Sequence, residues 1–509
     1  MTSTATEPAC LRLPLKIYPG LNPFTRDWLS SNPNATQFLE RRRPAGWTAA
    51  GRAANRAPLA NALIASNRQW GRNVDDEILR WSGGETFTVI AGQQVGFAGG
   101  PIYTLAKLAG MLKLKRENEK RGIPTTVFFW LATEDHDFAE VATLSLPKRD
   151  PKQQLDLTTL RVRKDSKVAV GALPVPEELT RALIEYLDVP RPSWLREGIT
   201  FRDSFAELIT AAVDAKFILV DSLLPELRRA GAPLFDAILG NWDRIQNELE
   251  VRAAALQAAG YAPQVVPRPG EAHTLLFELD ENSRRNLIEK PRSILPERTS
   301  TSALTRPLLQ DFVLCPDLFV GGPSEVAYYA QITPLHDLLG VAMPRVALRA
   351  HELLASKRIV RTVARYDIKP EEIFAGTDAV LATREPAGVA EVEAIAGSAR
   401  RQLIEQITRI GEIALPAEHA LARAINRSIG HIEYHFDKLT ERAIRGLARK
   451  DRERYAAIRE LTSTLFPDGA PQDRVTGWFG YWNYYGQHLI DRMIDEAEQD
   501  EDVCKVVSL

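Results

Sequence analysis

The stretch TFTVIAGQQVGFAGGPIYTLAKLAGMLKLKRENEKRGIPTTVFFWLATEDHDF, residues 86–138, reads as strand, glycine-rich turn, helix, strand and acidic loop, and this reading decides the fold. Residues 86–91 are a short apolar, β-branched run of strand length. In the turn that follows, Gly92, Gly96, Gly99 and Gly100 reach backbone angles closed to other residues. Pro101 suits a first helical turn, where its missing N–H costs nothing. Ile102, Leu105, Leu108, Leu112 and Leu114 then form an apolar stripe, with Lys113, Lys115, Arg116 and Lys120 on the wet side, until Gly122 and Pro124 stop the helix. TTVFFWLA is apolar on both faces, as a parallel strand covered by helices on both sides requires. The result is a βαβ unit, which places ligands at the C-terminal ends of its strands. GQQVGFAGGP and EDHD both sit at that edge, where one pocket can use both.

Upstream, residues 1–85 run through Pro- and Asn-rich YPGLNPF and SNPNAT into two helices, Leu59–Trp70 and Asp75–Trp81. The basic run Arg41–Arg43 reads as a solvated patch, and neither it nor Trp47 is given a role. Downstream, QLDLTTLRVRKDSKVAVGALPVP alternates about a Lys164-Asp165-Ser166 turn and reads as a hairpin within a first insertion, residues 143–202. A helix at Asp203–Ala215, a strand at 217–221 (FILVD) and a helix at 234–259 resume the core, residues 203–261. A second insertion spans 262–312, and DLFVGGPSEVAYYAQITPLHDLLGVAMPRV (317–346), within core residues 313–383, repeats the theme of strand, Gly-Gly-Pro, helix and strand. From 384 to 465, apolar residues step by three and four through Val389–Ile410 and again through Leu421–Leu447, on either side of Pro416. That pattern is an antiparallel coiled-coil hairpin. The tail, 466–509, carries Trp478, Phe479, Tyr481, Trp482, Tyr484 and Tyr485, too many rings to hang in water, so it packs back on the core, whose first part is 1–142.

Composition narrows the function classes. At 509 residues the chain is long enough for two or three domains. With 64 basic against 66 acidic residues it offers no global field for nucleic acid or anionic membrane. Cys10, Cys315 and Cys504 are far apart, which argues against a disulfide framework or a cysteine-based zinc site and fits a reducing, cytoplasmic setting. No apolar run reaches membrane-spanning length.

The glycine turn matches neither GxGxxG nor a P-loop. What remains is a turn feeding a helix N-terminus, with Gln93 and Gln94 as side-chain donors, Tyr103 just inside the helix and Lys107 nearly two turns in; the alternative is a turn whose glycines serve packing alone. Glu134, Asp135, His136 and Asp137 stand at the mouth of the sheet, where they can work as general acid and base, orient an amine, or bind Mg²⁺ or Zn²⁺; the alternative is a solvated acidic loop that caps the next helix. With one histidine and no second cluster near it in sequence, no metal is expected. Across the pocket, Ser324 is a candidate helix cap, with Glu325, Tyr328 or Tyr329 facing the ligand, and Arg306 in TSALTRPLLQDF is a candidate carboxylate or phosphate clamp. His431 and His435, four apart in the hairpin without a third ligand, read as solvent-facing.

GQQVGFAGGPIYTLAK, FFWLATEDHDFAEV, TRPLLQD followed by FVGGPSEVAYYAQ, and YYGQHLIDRM occur in this order, with a coiled-coil hairpin before the last. Together they resemble the bacillithiol synthase family over nearly the whole chain. The resemblance implies an α/β Rossmann-like parallel-sheet core of nucleotidylyltransferase type, two insertions, and a coiled-coil arm that forms a homodimer. It implies a ligase that joins L-cysteine to glucosaminyl malate, with ATP as a possible activating nucleotide and no resident cofactor assigned. On that model Gln93, Gln94 and the Gly99–Pro101 turn hold phosphate or carboxylate. Asp135, His136 and Asp137, beside Glu134, bind the amine or move its proton, and Lys107 or Arg306 offsets leaving-group charge. The chain departs from the family at Ala142 and Thr143, where Asn-His is frequent, and it lacks the His-x-x-His and Lys-Ser-Lys of nucleotidylyl transfer. Two other readings compete: a dimeric coiled-coil scaffold with a ligand-binding but degenerate core, and an aminoacyl-transferring enzyme acting on tRNA, which the near-neutral charge disfavours.

Overall fold

The computed structural model describes residues 10–40, 56–147, 157–161, 167–265, 273–382, 388–414, 421–498 and 502–509. Arg41–Arg43, Trp47, Lys164–Ser166 and the Pro416 turn lie outside them. The described chain divides into two units, Met1–Val360 with Leu465–Leu509, and Arg361–Thr464.

The first unit is built on five strands: β1 (Phe87–Gln93), β2 (Thr125–Leu131), β3 (Ile218–Asp221), β4 (Leu318–Gly321) and β5 (Arg345–Leu348). All pair in parallel, in the order β5-β4-β1-β2-β3. Every residue of β2 is buried, which is why its sequence shows no alternation. Three helices cover the ends that matter here: α1 (Ile102–Lys120), α2 (Arg306–Leu314) and α3 (Pro323–Leu339). From β1 the chain leaves through α1 towards β2; from β4, its other neighbour, it leaves through α3 towards β5. Strand order therefore reverses between β1 and β4, and a crevice opens at their C-terminal ends.

α1 forms as its stripe predicts, but one of its expected wet residues is not wet. Lys115 is buried, its Nζ bonded to Glu77 Oε2 (2.8 Å) and the Thr125 carbonyl (2.6 Å), so the helix is covered on a second side. The expected helix at 234–259 is two helices, Ala232–Gly240 and Trp242–Ala258, interrupted at Asn241. The hairpin of the first insertion also pairs differently from the expectation. Leu157–Arg161 runs antiparallel to Thr143–Pro147, the segment that directly follows the acidic loop. In the second insertion Leu276–Leu279 lies between Arg285–Leu287 and Thr299–Thr301 in a small antiparallel sheet.

A further sheet ties the ends of the described chain together. Val503–Ser508 is its centre, antiparallel to Cys10–Pro14 and parallel to His351–Ala355. The aromatic tail packs into the core: Trp478 is fully buried, and Phe479 meets Trp194 edge to face at 5.0 Å. In the second unit, helices Val389–Ala414 and Leu421–Leu465 run antiparallel: Arg400 pairs with Asp437 at 3.0 Å, and Gly388, just before the first helix, lies beside Leu447 further along the second. His431 and His435 are exposed on the longer helix. Among the described residues no helix is long and apolar enough to cross a membrane.

Candidate active site

The crevice between β1 and β4 is a cavity of about 580 Å³, within the usual range for small-molecule sites. The end of β1 supplies Gly92, Gln93 and Gln94, and α1 supplies Tyr103 and Lys107. The loop after β2 supplies Glu134, Asp135, His136 and Glu140. Arg306, Ser324, Glu325 and Tyr328 come from α2 and α3, and Phe277, Arg285 and Thr301 from the small antiparallel sheet. Arg349, just past β5, and Arg474 of the tail close the wall.

An ion pair between buried Lys107 and partly buried Glu325 forms its floor. Lys107 Nζ donates to Glu325 Oε2 at 2.5 Å and to the Gly92 carbonyl at 2.8 Å. Burial lowers the Lys107 ammonium below its ordinary range, with Glu325 opposing the shift. Burial likewise resists ionisation of Glu325, but Lys107 and then Arg306 prevail and hold the carboxyl below its usual value. The same Oε2 accepts the Gly322 N–H at 2.8 Å, so Glu325 rather than Ser324 caps α3; Ser324 sits in the first turn and lines the cavity. Arg306 reaches the end of β1. A methyl group on Gly92 would stand 3.1 Å from its Nη1, so glycine there makes room for the guanidinium.

The four residues of EDHD divide their roles. Glu134 lines the cavity, yet both its oxygens are engaged. Oε2 accepts from Ser300 Oγ (2.7 Å), Thr301 N (2.9 Å) and Arg228 (3.3 Å), and Oε1 from Thr301 Oγ1 (2.8 Å). It fastens the second insertion to the sheet. Asp135 Oδ2 accepts from Gln94 Nε2 at 2.7 Å, which joins the two sequence motifs directly, and Oδ1 accepts the His136 N–H at 2.7 Å. Arg285 Nη1 donates to His136 Nδ1 at 2.9 Å, a contact that makes Nδ1 the acceptor and leaves the ring proton on Nε2. Asp137 does not line the cavity; it is exposed and caps the short helix Phe138–Val141 through the Glu140 N–H at 3.1 Å. Glu140 stands at the cavity mouth, where loss of water, and then the charges of Asp137 and Asp135, raise its carboxyl above the ordinary range against a hydrogen bond from Gln94.

Gly99 and Pro101 do not line the cavity either. Gly99 has φ +84°, and a Cβ on it would fall 2.4 Å from the Trp478 ring, whose Nε1 donates to the Gly99 carbonyl at 2.9 Å. The first N–H of α1, that of Ile102, donates to the Thr476 carbonyl at 2.9 Å. The tail thus occupies the helix end that the sequence offers to an anion, and the turn does not fit a nucleotide phosphate. Of the residues missed in the sequence, Glu140 had a usable signal, an acid one turn beyond EDHD. Arg285 and Arg349 had none, since each reaches the cavity only through tertiary structure; Arg474 reads in the sequence only as a partner of the tail's rings in a stacking wall for an adenine, with core packing as the stronger alternative.

Fold and site define the class: a Rossmann-type α/β protein with a polar small-molecule site at the switch point of its sheet, extended by a helical hairpin. Residues 9–294 and 292–350 match the family model "Bacillithiol biosynthesis BshC, N-terminal Rossmann-like domain", and residues 353–509 match "Bacillithiol biosynthesis BshC, C-terminal coiled-coil domain". The chain belongs to the BshC family. It is similar to proteins named "Putative cysteine ligase BshC": 29% identical to that of Koribacter versatilis, with 81% of this chain and 82% of the relative covered. The Solibacter usitatus relative is 29% identical over 81% and 83%, and that of Bacillus anthracis 26% over 81% and 82%.

Proposed function

We propose that this chain is a ligase that joins the carboxyl group of L-cysteine to the amino group of glucosaminyl malate, completing bacillithiol. The observation that carries the reading is the crevice itself: in a BshC-family chain, one cavity gathers acids suited to an amine with arginines suited to carboxylates. Arg306 and Arg474 take the malate carboxylates. Asp135 and Glu140 orient the sugar amine, and Glu140, with its raised carboxyl, takes the proton that the nitrogen loses as it attacks the activated cysteine carbonyl; the bond from that carbonyl carbon to its activating group then breaks, and the group departs with the electron pair. His136 presents Nε2–H and donates to the oxygen on which charge develops. Tyr103, Tyr328 and Gln93 shape the walls, with the Lys107–Glu325 pair as a fixed base. Cysteine must arrive activated; the tail-covered turn gives no seat for ATP phosphates, so no step is routed through them.

The protein works in the cytoplasm as a homodimer formed through its hairpin, with small-molecule substrates and neither nucleic acid nor membrane as partner. The test is thiol analysis by mass spectrometry in a bacillithiol-deficient host supplied with the acceptor. Bacillithiol made by the intact chain and lost in His136→Ala, with folding retained, is expected. No thiol from the intact chain would overturn the proposal.

A further inference from the structure

Arg306 is held from two sides. On one side is Gly92, bare of a side chain. On the other, its Nη1 donates to Gln310 Oε1 at 3.3 Å, one turn along α2, and among the described residues this is the only hydrogen bond its guanidinium makes. A guanidinium has five N–H donors, so most remain for a ligand.

Which end of the Gln310 amide faces Arg306 is decided deeper in the core. Its Nε2 donates to Asp311 Oδ1 at 3.2 Å and meets the Tyr329 hydroxyl at 3.3 Å. Asp311 in turn accepts the Tyr329 hydroxyl at 3.1 Å and faces His336 Nε2 at 3.0 Å, while His336 Nδ1 faces the Ile332 carbonyl at 3.3 Å. Gln310, Asp311, Tyr329 and His336 are all buried. A carboxylate at one end of the amide accepts only its NH₂, so the carbonyl oxygen must point outward at the arginine. A buried network with every member engaged adopts one arrangement, because any other leaves a polar group unpaired.

We propose that Gln310 is a positioning residue, and that the buried Asp311–His336–Tyr329 cluster acts through it to aim Arg306 at a carboxylate of the substrate. The inference rests on the ligase reading for its substrate, but not for its geometry. The test is a double-mutant cycle on thiol formation with Arg306→Ala and Gln310→Leu. Gln310→Leu alone should lower acceptor kcat/KM on the order of 10-fold, mostly through KM, and should cost less than about 2-fold once Arg306 is alanine. Equal losses in both backgrounds would mean that Gln310 serves only the fold, and would overturn the proposal. If Gln310→Leu fails to fold, Gln310→Met, closer to glutamine in shape and likewise without the amide oxygen that Arg306 uses, carries the same cycle with the same expected epistasis. Crystal structures of Gln310→Leu or Gln310→Met decide the geometry without any substrate. Displacement of the Arg306 guanidinium from the end of β1 supports the proposal, and an unmoved guanidinium overturns it even if the intact chain makes no thiol.

Discussion

Two Gly-Gly-Pro turns, Gly99-Gly100-Pro101 after β1 and Gly321-Gly322-Pro323 after β4, look interchangeable in the sequence and have opposite fates. Trp478 is pressed onto the first, and the Thr476 carbonyl takes the first N–H of its helix. The second opens on the cavity, where Glu325 takes the Gly322 N–H and reaches across to Lys107. A glycine turn before a helix is therefore not in itself a ligand site. What covers it decides, and the covering residues lie hundreds of positions away.

The strongest check of this contrast is at the closed turn. Trp478→Ala empties a fully buried site and should cost about 4 kcal/mol in urea unfolding. Gly99→Ala, with its Cβ driven into the same ring at positive φ, should cost about 3 kcal/mol. A loss in either variant below about 1 kcal/mol would mean that the tail is not what closes the turn. Next comes the ion pair beneath the open turn. Glu325→Gln leaves Lys107 buried without its counter-charge and should cost about 3 kcal/mol at neutral pH. Because the Glu325 carboxyl is held below its unfolded value, its contribution is present above the ordinary carboxylate pKa and fades as pH falls through the depressed one. The stability gap between wild type and Glu325→Gln should therefore close in acid.

Gly322→Ala is the counterpart of Gly99→Ala. The nearest atom to its Cβ is Glu325 Oε2 at 3.5 Å, and its φ of −75° suits any residue, so stability should change by less than about 1 kcal/mol. Thiol formation should fall all the same, since the methyl group enters the cavity rim. The smallest effect is electrostatic. Asp137→Asn keeps the helix cap but removes one of the charges that raise Glu140. The acid limb of the rate against pH should then move to lower pH, and an unmoved limb would remove Glu140 from the role of base.

Local pattern was enough for much of this. The run from Thr86 to Phe138 contains its own strand, turn, helix and strand, and the spacing of Val389–Ile410 and Leu421–Leu447 contains the hairpin, because both rest on contacts within one element or between neighbours. That Asp135, His136 and Gln94 line the cavity is legible for the same reason: each stands at the end of a strand that the sequence marks plainly. Lys115 was misplaced because a charged residue in a helical pattern reads as exposed unless its distant partner, Glu77, is known. Gly99 and Pro101 read in the sequence as site residues because their cover, Trp478, is remote. Arg285 escaped notice for the converse reason, reaching His136 from a strand of the second insertion with no motif around it.

The sheet that joins Cys10–Pro14 to Val503–Ser508 sets a condition on the birth of the protein. Its middle strand is translated hundreds of residues after its first edge. While the ribosome is still at work, Cys10–Pro14 and His351–Ala355 wait with open edges, exposed to whatever strand they meet first. The first unit is thus completed only once residue 508 has left the exit tunnel, and a chain stopped shortly before it carries two sticky edges.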